Sequence, residues 1–213
     1  MLRWTGWSSS FTAFALVACD RAFFPRPRAL PSGGTVVPVE NFAKIGVAAL
    51  FLYGPHLWCH WRKEDPGSYG LRWTWPRGAS RDLVLALLVT LIPLTFLALH
   101  WPGQTLPRHP DLGTVWRWAL SGGTAAIIEE TFYRGWIQSL LRRRLSPHCA
   151  VALTSLVFAA SHLILFPYPI FLATFFPGLV MGWLRERHGS IAPGTLYHGL
   201  GNLWAIWFFP SPF

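Results

Sequence analysis

From residue 42 to residue 209 the chain is a succession of apolar runs, each near the length that crosses a bilayer, separated by short basic connectors. A helix crossing a hydrocarbon layer about 30 Å thick needs roughly 20 mostly apolar residues. Residues 42–61, 83–101, 115–141, 149–166 and 191–209 meet that requirement. Residues 170–184 form a shorter run, interrupted by Pro177-Gly178, that is still too apolar to sit in water. Residues 4–19 form a further run, either a first span or a signal-like segment flanked by Arg3. Its end, Leu16-Val17-Ala18-Cys19, has the form of a lipoprotein cleavage box, which would place a lipid on Cys19. The pattern predicts an all-α, polytopic membrane helix bundle of about six to seven transmembrane helices.

Composition supports this reading. Apolar residues make up 52% of the 213 residues and charged residues 13%, whereas soluble domains carry about 25% charged residues. The 18 Pro and 13 Trp suit membrane helices, which tolerate proline and collect tryptophan at their ends. No room is left for a separate soluble domain, so residues 1–213 read as one membrane domain. Its amino-terminal spans and loops cover 1–110. The stretch 25–38, between prolines, is the one linker-like segment, and no internal repeat is visible.

A formal net charge of +9 does not indicate a nucleic-acid partner. The basic residues fall between apolar runs, where the positive-inside bias and anionic lipid headgroups account for them. Arg62, Lys63, Arg72, Arg77 and Arg81 occupy one connector, Arg142-Arg143-Arg144 a second, and Arg185 with Arg187 a third. With seven spans these three connectors fall on one side, the cytoplasmic side, while Arg21, Arg26 and Arg28 run against the rule. Cys19, Cys59 and Cys149 are scattered beside apolar runs and form neither a disulfide framework nor a zinc knuckle.

Glu129 and Glu130 stand out against this background, because every other carboxylate lies in a connector or at the end of a run. At about 1.5 Å per residue, Glu129 lies roughly 20 Å from Arg142, near mid-bilayer. A charge at that depth costs at least about 2.5–3.5 kcal/mol on insertion scales, so two adjacent ones require compensation or function. Arg134, four residues after Glu130, shares its helix face and can neutralise it. Glu129 projects about 100° away without a local partner. A carboxylate in that setting holds a proton more readily, which suits a general base.

Other intramembrane polar groups lie at matching depth. His162 lies thirteen residues into its apolar run, about 20 Å from the inner end, and His198 and Asn202 are four apart on the last one, with Gly194, Gly199 and Gly201 around them. A carboxylate and an imidazole can together hold and deprotonate a water for attack on a carbonyl. A second imidazole and an amide can donate to the developing oxyanion. No Ser or Cys has a paired base, although Ser161 and Cys149 are close in sequence, so direct water attack is preferred to a covalent nucleophile. Glu129, His162 and His198 could together bind zinc, but no HExxH is present and the three lie on separate runs.

These residues resemble a known family. Glu129-Glu130-Thr131-Phe132-Tyr133-Arg134 is similar to the EExxxR motif of the CPBP intramembrane proteases (CAAX prenyl protease and bacteriocin-processing, or ABI). Phe158 to His162 resembles its FxxxH motif, and His198 to Asn202 its HxxxN motif. Gly189 to Gly194 is similar to the family's approach to its last motif, and the resemblance covers 120–207. It implies a helical membrane core that cleaves a peptide bond near the carboxyl end of a protein substrate. Glu129 with His162 would activate water, and His198 and Asn202 would stabilise the oxyanion. Glu130, Arg134 and Phe158 would support them. The resemblance implies a glutamate-dependent enzyme with no cofactor, zinc being the alternative, in the cell (inner) membrane. A narrower likeness is to bacterial members that process carboxyl-terminal sorting signals.

Two other classes use the same residues. A proton- or ion-coupled transporter also needs intramembrane Glu, Arg and His, though it would often show inverted repeats. A non-catalytic scaffold or immunity factor would keep the bundle without the chemistry.

Overall fold

The computed structural model describes residues 39–165 and 168–209. The run 4–19, Cys19, the basic residues Arg21, Arg26 and Arg28, and the Pro-bounded stretch 25–38 lie outside the described residues.

Among the described residues the secondary structure is entirely helical, with no strand. Helix α1 spans Val39–Arg62 and α2 spans Ala79–Leu99. Helix α3, Leu112–Glu130, continues through a wide π-type stretch, Thr131–Ile137, into the five-residue α4, Gln138–Arg142. Then follow α5 (Pro147–Leu165), a 3-10 turn (Pro169–Thr174), α6 (Phe175–His188) and α7 (Ala192–Phe208).

Local chemistry explains several boundaries. Asp111 caps α3, accepting from the Thr114 N–H at 3.0 Å and its hydroxyl at 2.6 Å. Gly189 ends α6 in the left-handed region at φ 61°, where a side chain would be strained. The Pro177-Gly178 pair, expected to interrupt its run, lies within the first turns of α6, and the break falls earlier, where the 3-10 turn ends at Thr174. Proline in a first turn removes an N–H that would have no intrahelical acceptor, so it is accommodated there.

Helix α7 occupies the centre, packed against α2, α3 and α6. Tyr197 and Trp204 on α7 donate to the Thr90 and Thr95 hydroxyls of α2 at 3.0 and 2.8 Å. Helix α3 approaches α7 so closely that a Cβ on Gly122 would lie 2.9 Å from the Asn202 Cβ. Leu83, Tyr133, Phe158, Met181, Leu184 and Tyr197 form the main apolar core. Phe51 of α1 stacks on Phe132 at 3.8 Å and ties α1 to the π-type stretch.

The three basic connectors meet at one end of the bundle, as their shared side predicts. Arg143 pairs with Glu64, Arg187 with Asp82, and Arg142 with Glu186. Ser139 donates to the Tyr69 carbonyl, and Ser190 to the carbonyls of Arg72 and Thr74. At the opposite end the Arg108 guanidinium caps α7, donating to the Ala205 and Ile206 carbonyls at 2.7 and 3.1 Å.

The outer faces are apolar. Leu50, Leu57, Val89, Ile92 and Phe96 each leave more than 60% of their surface uncovered. Among the described residues one helix, α2, is long and apolar enough to cross a membrane, with a mean hydropathy of 2.4. The expected six to seven spans are therefore not recovered on length and composition. Helices α6 and α7 have 14 and 17 residues, and α3 dilutes its apolar residues with Gly, Ser, Thr and Trp before reaching the glutamates.

Candidate active site

The site forms where α3 passes into its π-type stretch. A π-type turn widens the helix and frequently accompanies a functional site. Here it begins directly after Glu130 and contains Arg134. Leu71 presses against this stretch at Gly135, where an added Cβ would have to displace the leucine side chain.

Glu130 and Arg134 are fully buried and paired, with the guanidinium NH1 2.9 Å from Oε1, as their four-residue spacing predicts. Arg134 also donates from NH2 to the Gly178 carbonyl at 3.2 Å, and its guanidinium lies 4.3 Å from the centre of the Phe158 ring. A buried charge pair is stable only with further hydrogen bonds around it, and these contacts supply part of them on the cationic side, Arg134 Nε having no acceptor.

Helix α7 brings His198 onto both carboxylates. Nδ1 lies 3.1 Å from Glu130 Oε1, and Nε2 lies 3.8 Å from Glu129 Oε2. Glu129, which has no partner on its own helix, thus faces an imidazole from another. Its Oε2 is buried and accepts no hydrogen bond, and the same is true of Glu130 Oε2. A Cβ on Gly194 would come within 3.3 Å of that second Glu130 oxygen, so glycine at 194 keeps α7 close to the carboxylates.

The structure places the remaining predicted residues less directly. His162 directs Nδ1 to the Phe158 carbonyl of its own helix at 2.9 Å, and its ring meets the Phe158 ring edge-on at 4.6 Å. No His162–Glu129 ion pair occurs among the described residues. Asn202 donates its amide to the Gly122 carbonyl of α3 at 3.0 Å. Ser161, close to His162 in sequence, takes a hydrogen bond from Tyr133 at 2.8 Å and donates to the Phe158 carbonyl at 2.7 Å.

Phe158 has a larger part than a motif position suggests. It is nearly fully buried and contacts Arg134, Tyr133, His162 and His198, its ring centre 5.8 Å from that of His198. Tyr133 was not singled out from the sequence, where an aromatic residue in an apolar run carries no signal of this kind. The zinc alternative requires Glu129, His162 and His198 to converge. Among the described residues no three His, Cys, Asp or Glu side chains are grouped to hold a metal.

Fold and site together define an all-helical protein with a buried carboxylate–imidazole–guanidinium centre. Residues 111–204 match the family of type II CAAX prenyl endopeptidases, Rce1-like. This stretch contains all three motifs, and the match supports the likeness to the CPBP proteases. No curated protein and no solved structure matches the chain.

Proposed function

We propose that the chain is a multi-pass protease of the cell (inner) membrane that hydrolyses a peptide bond near the carboxyl terminus of a membrane-associated protein substrate. The observation that carries this reading is Glu129, a carboxylate at the centre of a helical bundle with a buried, unbonded oxygen beside an imidazole. The 3.8 Å between Glu129 Oε2 and His198 Nε2 is too long for a direct hydrogen bond and short enough for one water to be held by both. Glu129 is the base in this mechanism, His162 is its partner on the α5 side, and His198 and Asn202 face the developing oxyanion. Glu130, Arg134 and Phe158 hold the centre together.

Membrane insertion is supported by the apolar outer faces. Soluble monomers rarely expose contiguous apolar patches beyond a few hundred Å², and here large aliphatic and aromatic side chains line the outside of α1 and α2. Collection of the basic connectors at one end agrees with a single cytoplasmic face.

The test is cleavage by the purified, detergent-solubilised chain of a peptide carrying a hydrophobic carboxyl-terminal segment, read by mass spectrometry. Glu129→Gln keeps the size of the side chain and removes its basicity, and the expected loss is at least about 100-fold. Undiminished cleavage by this variant would sink the mechanism.

A further inference from the structure

The proposed hydrolysis treats Glu130 as a structural partner of Arg134 and His198 as an oxyanion donor. The contacts between these residues give both a more specific role. Glu130 Oε1 accepts from the Arg134 guanidinium at 2.9 Å and lies 3.1 Å from His198 Nδ1. A carboxylate ionised against an arginine can only accept hydrogen bonds, so the proton in the second contact belongs to His198 Nδ1. The other ring nitrogen, Nε2, then carries the lone pair in the neutral imidazole, and it is the atom that faces Glu129 Oε2 at 3.8 Å.

We propose that Glu130 is a positioning residue that fixes the tautomer of His198, so that His198 Nε2 shares with Glu129 the proton released by the attacking water. The proposal rests on the protease reading and sharpens the role of its last histidine. The arrangement is a carboxylate orienting an imidazole through Nδ1–H, a device whose loss in other enzymes leaves the geometry intact with the wrong nitrogen protonated. Burial of Glu130 and Arg134 and the edge-on Phe158 ring at 5.8 Å keep the imidazole in one orientation.

The step balances within the groups present. One O–H bond of the water breaks and its proton passes to Glu129 or to His198 Nε2, while the oxygen bonds to the substrate carbonyl carbon. Once Nε2 is protonated it becomes a donor, so the hydrogen bond it offers to the oxyanion is created by the same transfer that generates the nucleophile. On collapse the C–N bond breaks, and the proton leaves with the amine product.

The experiment is ¹⁵N NMR of the full chain in detergent with ¹⁵N-labelled histidine, His198 being assigned by its loss in His198→Gln. The native protein is expected to show Nδ1 of His198 protonated, and a His198 with bare Nδ1 and protonated Nε2 overturns the proposal. This measurement needs no variant of Glu130 and no substrate, so it stands even if no cleavage is found, which would count against the protease reading alone. The neutral pair Glu130→Leu with Arg134→Met removes the acceptor facing His198 Nδ1 without leaving an unpaired charge. It is expected to release the tautomer and to lower kcat about 10- to 100-fold with KM little changed. Retention of the native tautomer in that double variant also overturns the proposal.

Discussion

Two glutamates in this molecule have the same kinds of partner in opposite settings. Glu64, at the basic end, accepts from the Tyr69 hydroxyl and from Arg143 at 2.7 Å, and Arg62 lies 3.5 Å from its other oxygen. Glu130, in the centre, accepts from Arg134 and lies 3.1 Å from His198 Nδ1, both on one oxygen, and its second oxygen has no donor. Both nodes combine a carboxylate, an arginine and an aromatic proton donor. The outer node has its hydrogen bonds on one oxygen, an arginine beside the other, and faces water. The buried node leaves acceptors unmet, and such atoms are costly enough to need an explanation. The outer node holds connectors together, and the unmet acceptors of the inner one are what the proposed chemistry would use.

The largest expected difference between the nodes comes from removing the arginine. Arg134→Ala leaves Glu130 charged and unpaired in a dry site, and breaking a buried pair in this way typically costs about 3–5 kcal/mol. Arg143→Ala leaves Glu64 beside water and other donors, and its effect on stability is expected to be small. Thermal unfolding of both variants in detergent measures this, and equal losses would break the distinction.

A smaller effect is expected where α7 meets α3. Gly122→Ala places a Cβ 2.9 Å from the Asn202 Cβ, an atom near the backbone that cannot swing aside, so the helices must separate. Overpacking of this kind costs about 1–3 kcal/mol. Because α7 also carries His198, cleavage is expected to fall further than stability does. At the outer end Gly67→Ala meets the ends of the Arg72 and Asp65 side chains and is expected to leave cleavage nearly unchanged. Parallel measurement of melting and cleavage for the two variants sharpens the comparison, since a Gly122→Ala protein of full activity would uncouple the helix contact from the site.

The sequence revealed one of these nodes better than the other. Glu130–Arg134 follows from helix spacing, because residues four apart share a face whatever the rest of the fold does. Gathering of the basic connectors at one end follows from charge and span order. The contact of His198 with Glu130 bridges 68 positions, and no local rule brings those two residues together. Convergence of Tyr133, Arg134, His162 and His198 on Phe158 is hidden for the same reason. The π-type stretch was also unreadable, since its residues would suit an ordinary α-helix and tertiary packing selects the wider turn. Pro177 was misplaced because a proline in an apolar run signals a break, while position within the helix decides whether it is one.

The smallest expected effect is the pH response of the outer node, and it separates the two settings by charge alone. Hydrogen bonds from Arg143 and then Tyr69 hold the Glu64 carboxyl at about 2, against an ordinary value of 4.5. The fold therefore keeps this group ionised where the unfolded chain takes up a proton. A depressed carboxylate contributes stability that is complete above the unfolded value and is lost as pH falls toward the folded one, so the window lies between 4.5 and about 2. Tyr69 has the opposite limb. Burial, followed by its bond to Glu64, raises its hydroxyl above the ordinary 10.0, so its contribution is complete below that value and fades at more alkaline pH. Melting temperatures of the native chain and Glu64→Gln, followed from pH 6 to pH 3, should converge as the pH falls, because the variant has already lost the titrating group. A constant gap would show that the Glu64 carboxylate contributes by shape rather than by charge, and the outer node would then differ from the inner one in kind as well as in depth.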